Sequence, residues 1–182
     1  MVENKHLDNL IGRMQRYGDE EAFAEFYKLT AKGLYSYLMS VVGKKENAED
    51  LMQDAYIRFR QNVQSYVRGT NPTAYLIQIG KNLALNFLKR SGYERQTDFS
   101  EWEPSDDGES VEKQADTTVT DAIAKVLNGD EAQIVKLHVV AGLKHREIAE
   151  IMGKPLGTVL WTYNNSINKL RKYLKEDENA NR

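Results

Sequence analysis

One stretch of the chain combines the side chains that recognise unpaired nucleic-acid bases. It begins at Pro72 and carries one aromatic, three amide and three basic residues: Tyr75, Gln78, Lys81, Asn82, Asn86, Lys89 and Arg90. Aromatic rings stack on separated bases, amides hydrogen-bond to base edges, and lysine or arginine binds phosphate. The apolar residues of the same stretch define another, buried face: Leu76, Ile79, Leu83 and Phe87. The polar face therefore predicts binding of single-stranded nucleic acid, while Tyr75 by itself fits a core position equally well.

The stretch from Leu143 to Leu170 predicts a helix-turn-helix, the motif that places a helix in the major groove of DNA. Ala149 is small enough for the two helices to approach, and Gly153 can adopt the positive φ of the turn. Ile148 and Val159 supply apolar contacts between the helices. Nine residues of this unit are candidates for contact with duplex DNA: Lys144, Arg146, Lys154, Thr158, Leu160, Trp161, Thr162, Asn165 and Lys169.

The second helix of this motif, which begins near Leu156, is poor in basic residues. Readout of guanine by arginine is therefore excluded over most of its length, whereas asparagine can pair with adenine and threonine can contact a thymine methyl group. Phosphate binding falls to surrounding cations: Lys144, Arg146, Lys154, Lys169, Arg171 and Lys172. The pattern predicts weak binding to an A/T-rich element. The alternative is that Trp161 contacts a protein partner.

A third polar surface is predicted on the helix that starts near Asn47. Its members recur at helical spacing: Glu49, Asp50, Gln53, Asp54 and Arg58. Leu51, Ala55 and Phe59 form an apolar stripe on the opposite face. Such a strip is either a solvated surface or a set of hydrogen-bonding groups for a partner helix.

Composition and motifs argue against an enzyme or a metal protein. The three histidines (His6, His138 and His145) lack the i, i+4 spacing of helical metal ligands, and the chain has no cysteine. There is no Gly-rich phosphate loop and no nucleophile with a partner base, so we expect no catalysis, cofactor or metal. The sequence shows no signal peptide and no run near the roughly 18 apolar residues of a membrane span. We therefore expect a cytoplasmic protein without membrane contact.

The elements that must position these residues are helices. Long helical periodicity, few prolines and little alternation predict an all-α fold. Helices are expected at about 3–17, 19–42, 47–66, 72–91, 117–127, 130–141, 145–152 and 156–175. Asp19 should cap the second helix and Gly43 should end it, while Pro72 suits the first position of the fourth. The second helix should bury five apolar residues: Phe23, Phe26, Tyr27, Leu34 and Leu38.

Charge divides the chain into two small helical domains and a linker. Residues 1–90 carry 13 basic and 10 acidic side chains, residues 91–116 carry 2 and 9, and residues 117–182 carry 10 and 8. The acidic, polar middle cannot bury enough surface to fold and predicts a flexible linker at 92–116. An N-terminal helical bundle at 1–91 and a C-terminal helix-turn-helix domain at 117–176 flank it, with a tail at 177–182.

Three segments in order resemble the extracytoplasmic-function sigma factors, the smallest specificity subunits of bacterial RNA polymerase. The opening of their promoter-melting domain is similar to GDEEAFAEFYKLTAKGLYSYLMSVVGKKENAEDLMQDAYIRFRQN, and the helix at the upstream edge of the bubble is similar to PTAYLIQIGKNLALNFLKR. Their second domain is similar to the helix-turn-helix segment. The resemblance implies that the chain directs core RNA polymerase to specific promoters and helps to open them.

The resemblance also implies a role for each surface. The segment AEDLMQDAYIRF would dock on the clamp helices of the polymerase's largest subunit, and the loop Gln64–Thr73 would capture a flipped base. Asn82 matches a family asparagine near the minus-ten element, and the helix from Leu156 would read the minus-thirty-five element. The acidic linker resembles the connector that threads toward the polymerase active centre. An anti-sigma partner is expected from the resemblance alone.

The chain departs from the family pattern at Tyr75, where tryptophan is usual, and in the poorly basic helix after Val159. Two other functions therefore stay open. A stand-alone helix-turn-helix repressor, whose first four helices dimerise or sense a ligand, would bind a palindrome without polymerase. A sigma-like interaction protein would bind polymerase without promoter specificity.

Overall fold

The computed structural model describes residues 4–90 and 122–180, with side chains to residue 175. All regular elements in these ranges are helical, which confirms the all-α fold. A short 3₁₀ turn, Val63–Ser65, follows the third helix, and residues 122–126 are also helical. The predicted linker at 92–116 lies outside the described residues. The α-helices are α1 Asn4–Tyr17, α2 Glu20–Val42, α3 Lys45–Gln61, α4 Pro72–Arg90, α5 Gly129–Val139, α6 His145–Met152 and α7 Leu156–Ala180.

Local side-chain chemistry sets the helix ends, as predicted at three positions. Asp19 has extended backbone and accepts a hydrogen bond from the Ala22 amide at 2.9 Å, which satisfies one free donor at the start of α2. Gly43 ends α2 in the left-handed conformation. Pro72 is the first residue of α4, and the Asn71 side chain accepts from the Ala74 amide at 3.1 Å.

Four sequence predictions are wrong in detail. α3 begins at Lys45 rather than Asn47, after Lys44 in extended backbone with no side-chain cap. The helix expected to reach residue 66 ends at Gln61, because Asn62 leaves helical geometry and the chain turns to bury Tyr66. α7 continues to Ala180 instead of ending at 175. Tyr27 is 39% exposed rather than buried, although one side of its ring packs on Tyr56.

The N-terminal module, residues 4–90, packs around α2. Phe26 of α2 stacks on Phe59 of α3 with ring centroids 4.6 Å apart and both side chains fully buried. The buried hydroxyl groups of Thr30 and Tyr56 share a hydrogen bond of 2.7 Å, so neither polar group is left without a partner. This core fixes α3 and α4 on the same body and turns their polar faces outward.

The C-terminal module, residues 122–180, packs against the N-terminal module, and we call this the closed arrangement. One hydrophobic core continues from α1–α4 into α5–α7 and includes Ile134, Ile148 and Ile151. A Cβ atom on Gly33 would lie 3.1 Å from the Cβ of Ala141, so glycine permits this close approach of the two modules. A smaller second core lies within the C-terminal module: Ala122, Ile123, Leu127, Val135 and Leu170.

Candidate polymerase and nucleic-acid interfaces

α3 presents the predicted docking strip at the surface. Asp50, Gln53, Asp54 and Arg58 are exposed, and Glu49 is partly exposed at the edge of the strip. The other face of α3 is buried: Ala48, Leu51, Ala55, Tyr56 and Phe59. Ile57, which was not among the predicted residues, is 54% exposed on the same helix as the acidic groups. An apolar side chain at helical spacing on a polar face was the available signal, and such a mixture suits a protein interface.

α4 exposes most of the candidate single-strand residues on one side. Asn82, Asn86, Lys89 and Arg90 are exposed, and the amide of Gln78 donates to the Asn82 side chain at 3.3 Å. The apolar face packs inward as expected, although Ile79 and Phe87 are half-buried. The structure therefore brings together the amide and basic groups that could bind bases and phosphates.

Tyr75 and Lys81 have partners within the protein. The Tyr75 ring lies edge-on to Phe59 and Tyr66, with centroids 6.2 and 5.4 Å away, so it packs at the margin of the core. The Lys81 ammonium donates to the Ile151 carbonyl near the end of α6. In the closed arrangement this lysine contacts the helix-turn-helix module.

The loop between α3 and α4, residues 62–71, is held in place by hydrogen bonds to α1. The Asp8 carboxylate accepts from the Tyr66 hydroxyl at 2.9 Å and from the Gly69 amide at 2.8 Å. Burial raises the pKa of Tyr66 to about 12, so the phenol stays protonated and keeps its donor. Asp8 was not predictable as a loop contact, because a single acidic residue on an amphipathic helix gives no local signal.

The predicted helix-turn-helix is present as α6, a turn and α7. Gly153 has a φ of 64°, and Ile148 and Val159 are fully buried between the helices. Among the candidate DNA contacts, Lys144, Arg146, Thr158, Leu160, Trp161 and Lys169 are exposed, and Lys154, Thr162 and Asn165 are partly exposed. Trp161 shows 69% of its surface. The outer face of α7 is thus apolar and amide-rich at its start.

Two lysines expected to bind phosphate are paired with carboxylates at the start of α5. Lys154 lies 2.5 Å from Asp130. Lys169 donates to both oxygens of Glu131, at 2.7 and 3.0 Å. Glu131 is buried and also closes a capping box with Asn128, so its charge depends on the lysine for compensation. These pairs reduce the positive charge that the module offers to DNA.

Three rings join the helices of the C-terminal module. His138 and His145 stack with centroids 4.3 Å apart, and both lie edge-on to Tyr163. The ring of His138 donates to the Leu143 carbonyl at 2.8 Å, whereas Nε2 of His145 is buried without a hydrogen-bond partner among the described residues. Burial, with a smaller contribution from His138, lowers the pKa of His145. The cluster therefore packs best with His145 neutral.

Within residues 4–90 and 122–180, no group of three or more histidine, aspartate or glutamate side chains is placed to hold a metal ion. Among the helices of the described ranges, none has the length and apolar character needed to cross a membrane.

Comparison with known families identifies both modules. Residues 26–93 match the model of sigma-70 region 2, and residues 121–159 match the model of sigma-70 region 4. Together the two matches span more than half of the chain. α1 precedes the first of them.

Similarity to curated proteins extends over nearly the whole chain. The ECF RNA polymerase sigma factor BldN of Streptomyces coelicolor is 26% identical, covering 96% of this chain and 68% of the relative. The ECF RNA polymerase sigma factor SigW of Bacillus subtilis is 27% identical, covering 87% and 92%.

Two solved structures share the fold. The sigma factor RpoE in complex with the anti-sigma factor NepR from Bartonella quintana has a TM-score of 0.66 at 24% identity, covering 85% of this chain and 98% of that one. CnrH in complex with the cytosolic domain of CnrY has a TM-score of 0.62 at 17% identity, covering 94% and 99%. Both sigma-70 regions occur in order along the chain, and named ECF sigma factors are similar to it over most of its length. The protein therefore belongs to the extracytoplasmic-function sigma factors, which direct bacterial RNA polymerase to promoters.

Proposed function

We propose that the protein performs this task through the three surfaces described above. α3 docks on core RNA polymerase, α4 and the loop before it hold the opened minus-ten element, and α6–α7 bind the minus-thirty-five element. The observation that carries the proposal is the outward placement of both the α3 strip and the α4 polar face on one shared hydrophobic core. A partner helix and a separated DNA strand can then contact the same module at once.

Promoter opening draws its energy from binding of unstacked bases. Extruding a base costs a few kcal/mol, and contacts with the protein can offset that cost. Asn82 and Asn86 offer amides to base edges, while Lys89 and Arg90 offer positive charge to phosphates. Because each module has only a small positive charge, the isolated protein should bind duplex DNA weakly. Specific binding then depends on polymerase.

The closed arrangement must open before both promoter elements are bound. The elements are named for positions about 25 base pairs apart, roughly 85 Å along the duplex at about 3.4 Å per base pair. Lys81 contacts Ile151, and the ten residues from Ile151 to Trp161 can span at most about 36 Å. The two DNA-binding surfaces therefore lie too close together in the closed arrangement.

The interface between the modules is suited to separation. A cleft of about 320 Å³ remains in it, lined by α1, α2 and the α5–α6 turn. Few polar groups join the modules; the Asn71 side chain donates to Glu147 at 2.8 Å. The cleft removes packing contacts that a filled interface would have, so separating the modules costs less than it would without the cleft.

We further propose domain limits of 1–91 and 117–176, with a tail at 177–182, and a protein that catalyses nothing itself, since the polymerase forms the bonds. Its place is the cytoplasm, where core polymerase and promoters are found. RpoE is found in complex with the anti-sigma factor NepR, and CnrH in complex with the cytosolic domain of CnrY. We propose an anti-sigma partner for this chain as well.

Asp50→Arg tests the docking surface. Asp50 is exposed, so reversal of its charge should weaken binding to core polymerase while leaving the fold intact. Affinity is measured by titration of labelled sigma factor with purified core enzyme. Glu21→Arg makes an equal change of charge at an exposed site on α2 and serves as the control. Unchanged affinity for Asp50→Arg would remove α3 from the interface.

Asn82→Ala tests the single-strand surface. The substitution should reduce open-complex formation more than polymerase binding, because Asn82 is exposed on α4 and distant in sequence from the docking strip. Permanganate reactivity of unpaired thymines measures opening. Equal losses of opening and polymerase binding would refute the assigned role.

A sigma-like interaction protein without promoter specificity is the second candidate. It is favoured by the exposed apolar surface of Leu156, Leu160 and Trp161 on the helix that should read DNA. Run-off transcription from a library of genomic fragments separates the two functions. Discrete transcript starts that require this protein support the sigma factor, and starts identical to those of core enzyme alone support the interaction protein.

A further inference from the structure

The loop that precedes α4 owes its shape to α1, which lies outside the matched sigma-70 regions. Asp8 is the centre of this contact. One carboxylate oxygen accepts from both Tyr66 and Gly69, and the other lies 3.4 Å from the Arg68 guanidinium. The Asp8 side chain therefore contacts three of the four consecutive loop residues 66–69.

A second α1 residue fixes the start of the loop. The Gln15 amide donates to the carbonyls of Val63 and Tyr66, both at 2.9 Å. The Gln64 side chain returns a hydrogen bond to the Gln15 carbonyl at 2.9 Å. These contacts give hydrogen-bond partners to carbonyl groups in the turn after α3 and in the last turn of α1.

The inner and outer sides of the loop differ in burial. Tyr66 is 4% exposed and the Asp8 side chain 15%, so their hydrogen bond is shielded from solvent. Val67 is 69% exposed, and Arg68, Gly69 and Thr70 are also exposed. The loop thus has a fixed interior and an outer rim that can contact another molecule.

We propose that Asp8 is a positioning residue for base capture: it sets the conformation of loop residues 66–69 so that their rim receives a base of the opened promoter. The proposal rests on the function assigned to this loop above. A loop held in its binding conformation loses less conformational freedom when the base enters. Asp8 acts through the loop and does not itself contact DNA.

Asp8→Ala removes the acceptor shared by Tyr66 and Gly69. Asp8→Asn retains one acceptor oxygen for these two donors, but it loses the charge and replaces the oxygen that faces Arg68 with an amide NH2 group. Loss of hydrogen bonds to a carboxylate should lower the rate of open-complex formation on the order of tenfold to a hundredfold in Asp8→Ala. Asp8→Asn should recover most of that rate. Glu25→Gln, which weakens a half-exposed α1–α2 contact with His6, is the matched control and should behave as the original protein.

The informative measurement is base preference within the opened element. Holoenzyme carrying each variant is assayed on promoters with all four bases at every position of the minus-ten element. Asp8→Ala should lose discrimination at the position captured by the loop and keep it elsewhere, with unchanged affinity for core polymerase. A purely structural role would lower activity equally on all templates, and that result would overturn the proposal.

Two further variants keep the outcome decisive. If Asp8→Ala fails to fold, Tyr66→Phe removes the buried donor while retaining the ring, and it should show the same loss of discrimination in weaker form. Val67→Asp places a negative charge on the exposed rim and tests the loop itself. No defect in Val67→Asp would refute base capture by the loop, whereas a defect there with normal Asp8→Ala and Tyr66→Phe would refute only the positioning role.

Discussion

A disulfide across the two modules should hold the sigma factor in its closed arrangement and stop promoter-dependent transcription. The chain has no cysteine, so Gly33→Cys with Ala141→Cys would introduce its sole pair of thiols. A Cβ on Gly33 would lie 3.1 Å from the Cβ of Ala141. Disulfides require about 3.5–4.5 Å between these atoms, so a shift of a few tenths of an ångström suffices.

The size of the effect follows from the distances. A closed chain spans at most about 36 Å between Ile151 and Trp161, whereas the promoter elements are roughly 85 Å apart. No adjustment within a cross-linked interface covers such a difference. Transcription should therefore fall in proportion to the cross-linked fraction, and a reductant should restore it.

The assay is single-round transcription with core polymerase, before and after oxidation, with the cross-link quantified on non-reducing gels. The original chain and each single cysteine variant are the controls, because they report the effect of oxidant and of steric pressure at Gly33. Full activity of a completely cross-linked sample would show that the closed arrangement itself engages promoters, and the requirement for opening would be wrong.

Three other predictions concern stability. The pKa of His145 is lowered in the folded protein, so the unfolded chain binds more protons near pH 6. The C-terminal module should therefore lose stability as the pH falls through about 6.5, the ordinary pKa of histidine. In thermal melts, His145→Phe should flatten this pH dependence. Phe59→Ala should cost about 3–5 kcal/mol in denaturant unfolding because it removes a buried stacked ring, whereas Ile57→Ala, at an exposed site on the same helix, should change little. Lys169→Met should lower the unfolding free energy by about 1–3 kcal/mol, because it leaves buried Glu131 without its cation. Arg171→Met, at an exposed site on the same helix, is the control. Equal effects of Lys169→Met and Arg171→Met would count against a stabilising ion pair between Lys169 and Glu131.

Features with a local cause could be predicted from the sequence. Asp19, Pro72 and Gly153 each determine the backbone within one turn of their own position, and the structure has them where the sequence placed them. The polar faces of α3 and α4 were also predictable, because helical spacing alone decides which residues share a side. Asn47 misled because a good capping residue does not begin a helix when the chain already turns at Lys44.

The contacts between distant parts of the chain could not be predicted in this way. Asn71 and Glu147 are 76 positions apart, and no sequence pattern around either residue predicts that their side chains meet. The same holds for Asp8 and Gly69, which are joined across 61 positions. Such contacts depend on how the modules and the loop are packed, and that packing is decided by the shared apolar core rather than by the polar groups themselves.

The lysine–carboxylate pairs at the start of α5 have a consequence for ionic strength. When a solvated lysine binds a DNA phosphate, anions bound to the lysine and cations condensed on the phosphate are released. Each such contact makes the affinity for DNA fall more steeply with added salt. Lys154 and Lys169 must instead break their ion pairs with Asp130 and Glu131 before they contact phosphate. Added salt weakens these ion pairs as well as the lysine–phosphate contacts. Recognition of the upstream element should consequently tolerate changes in cellular osmolarity better than the number of basic residues suggests.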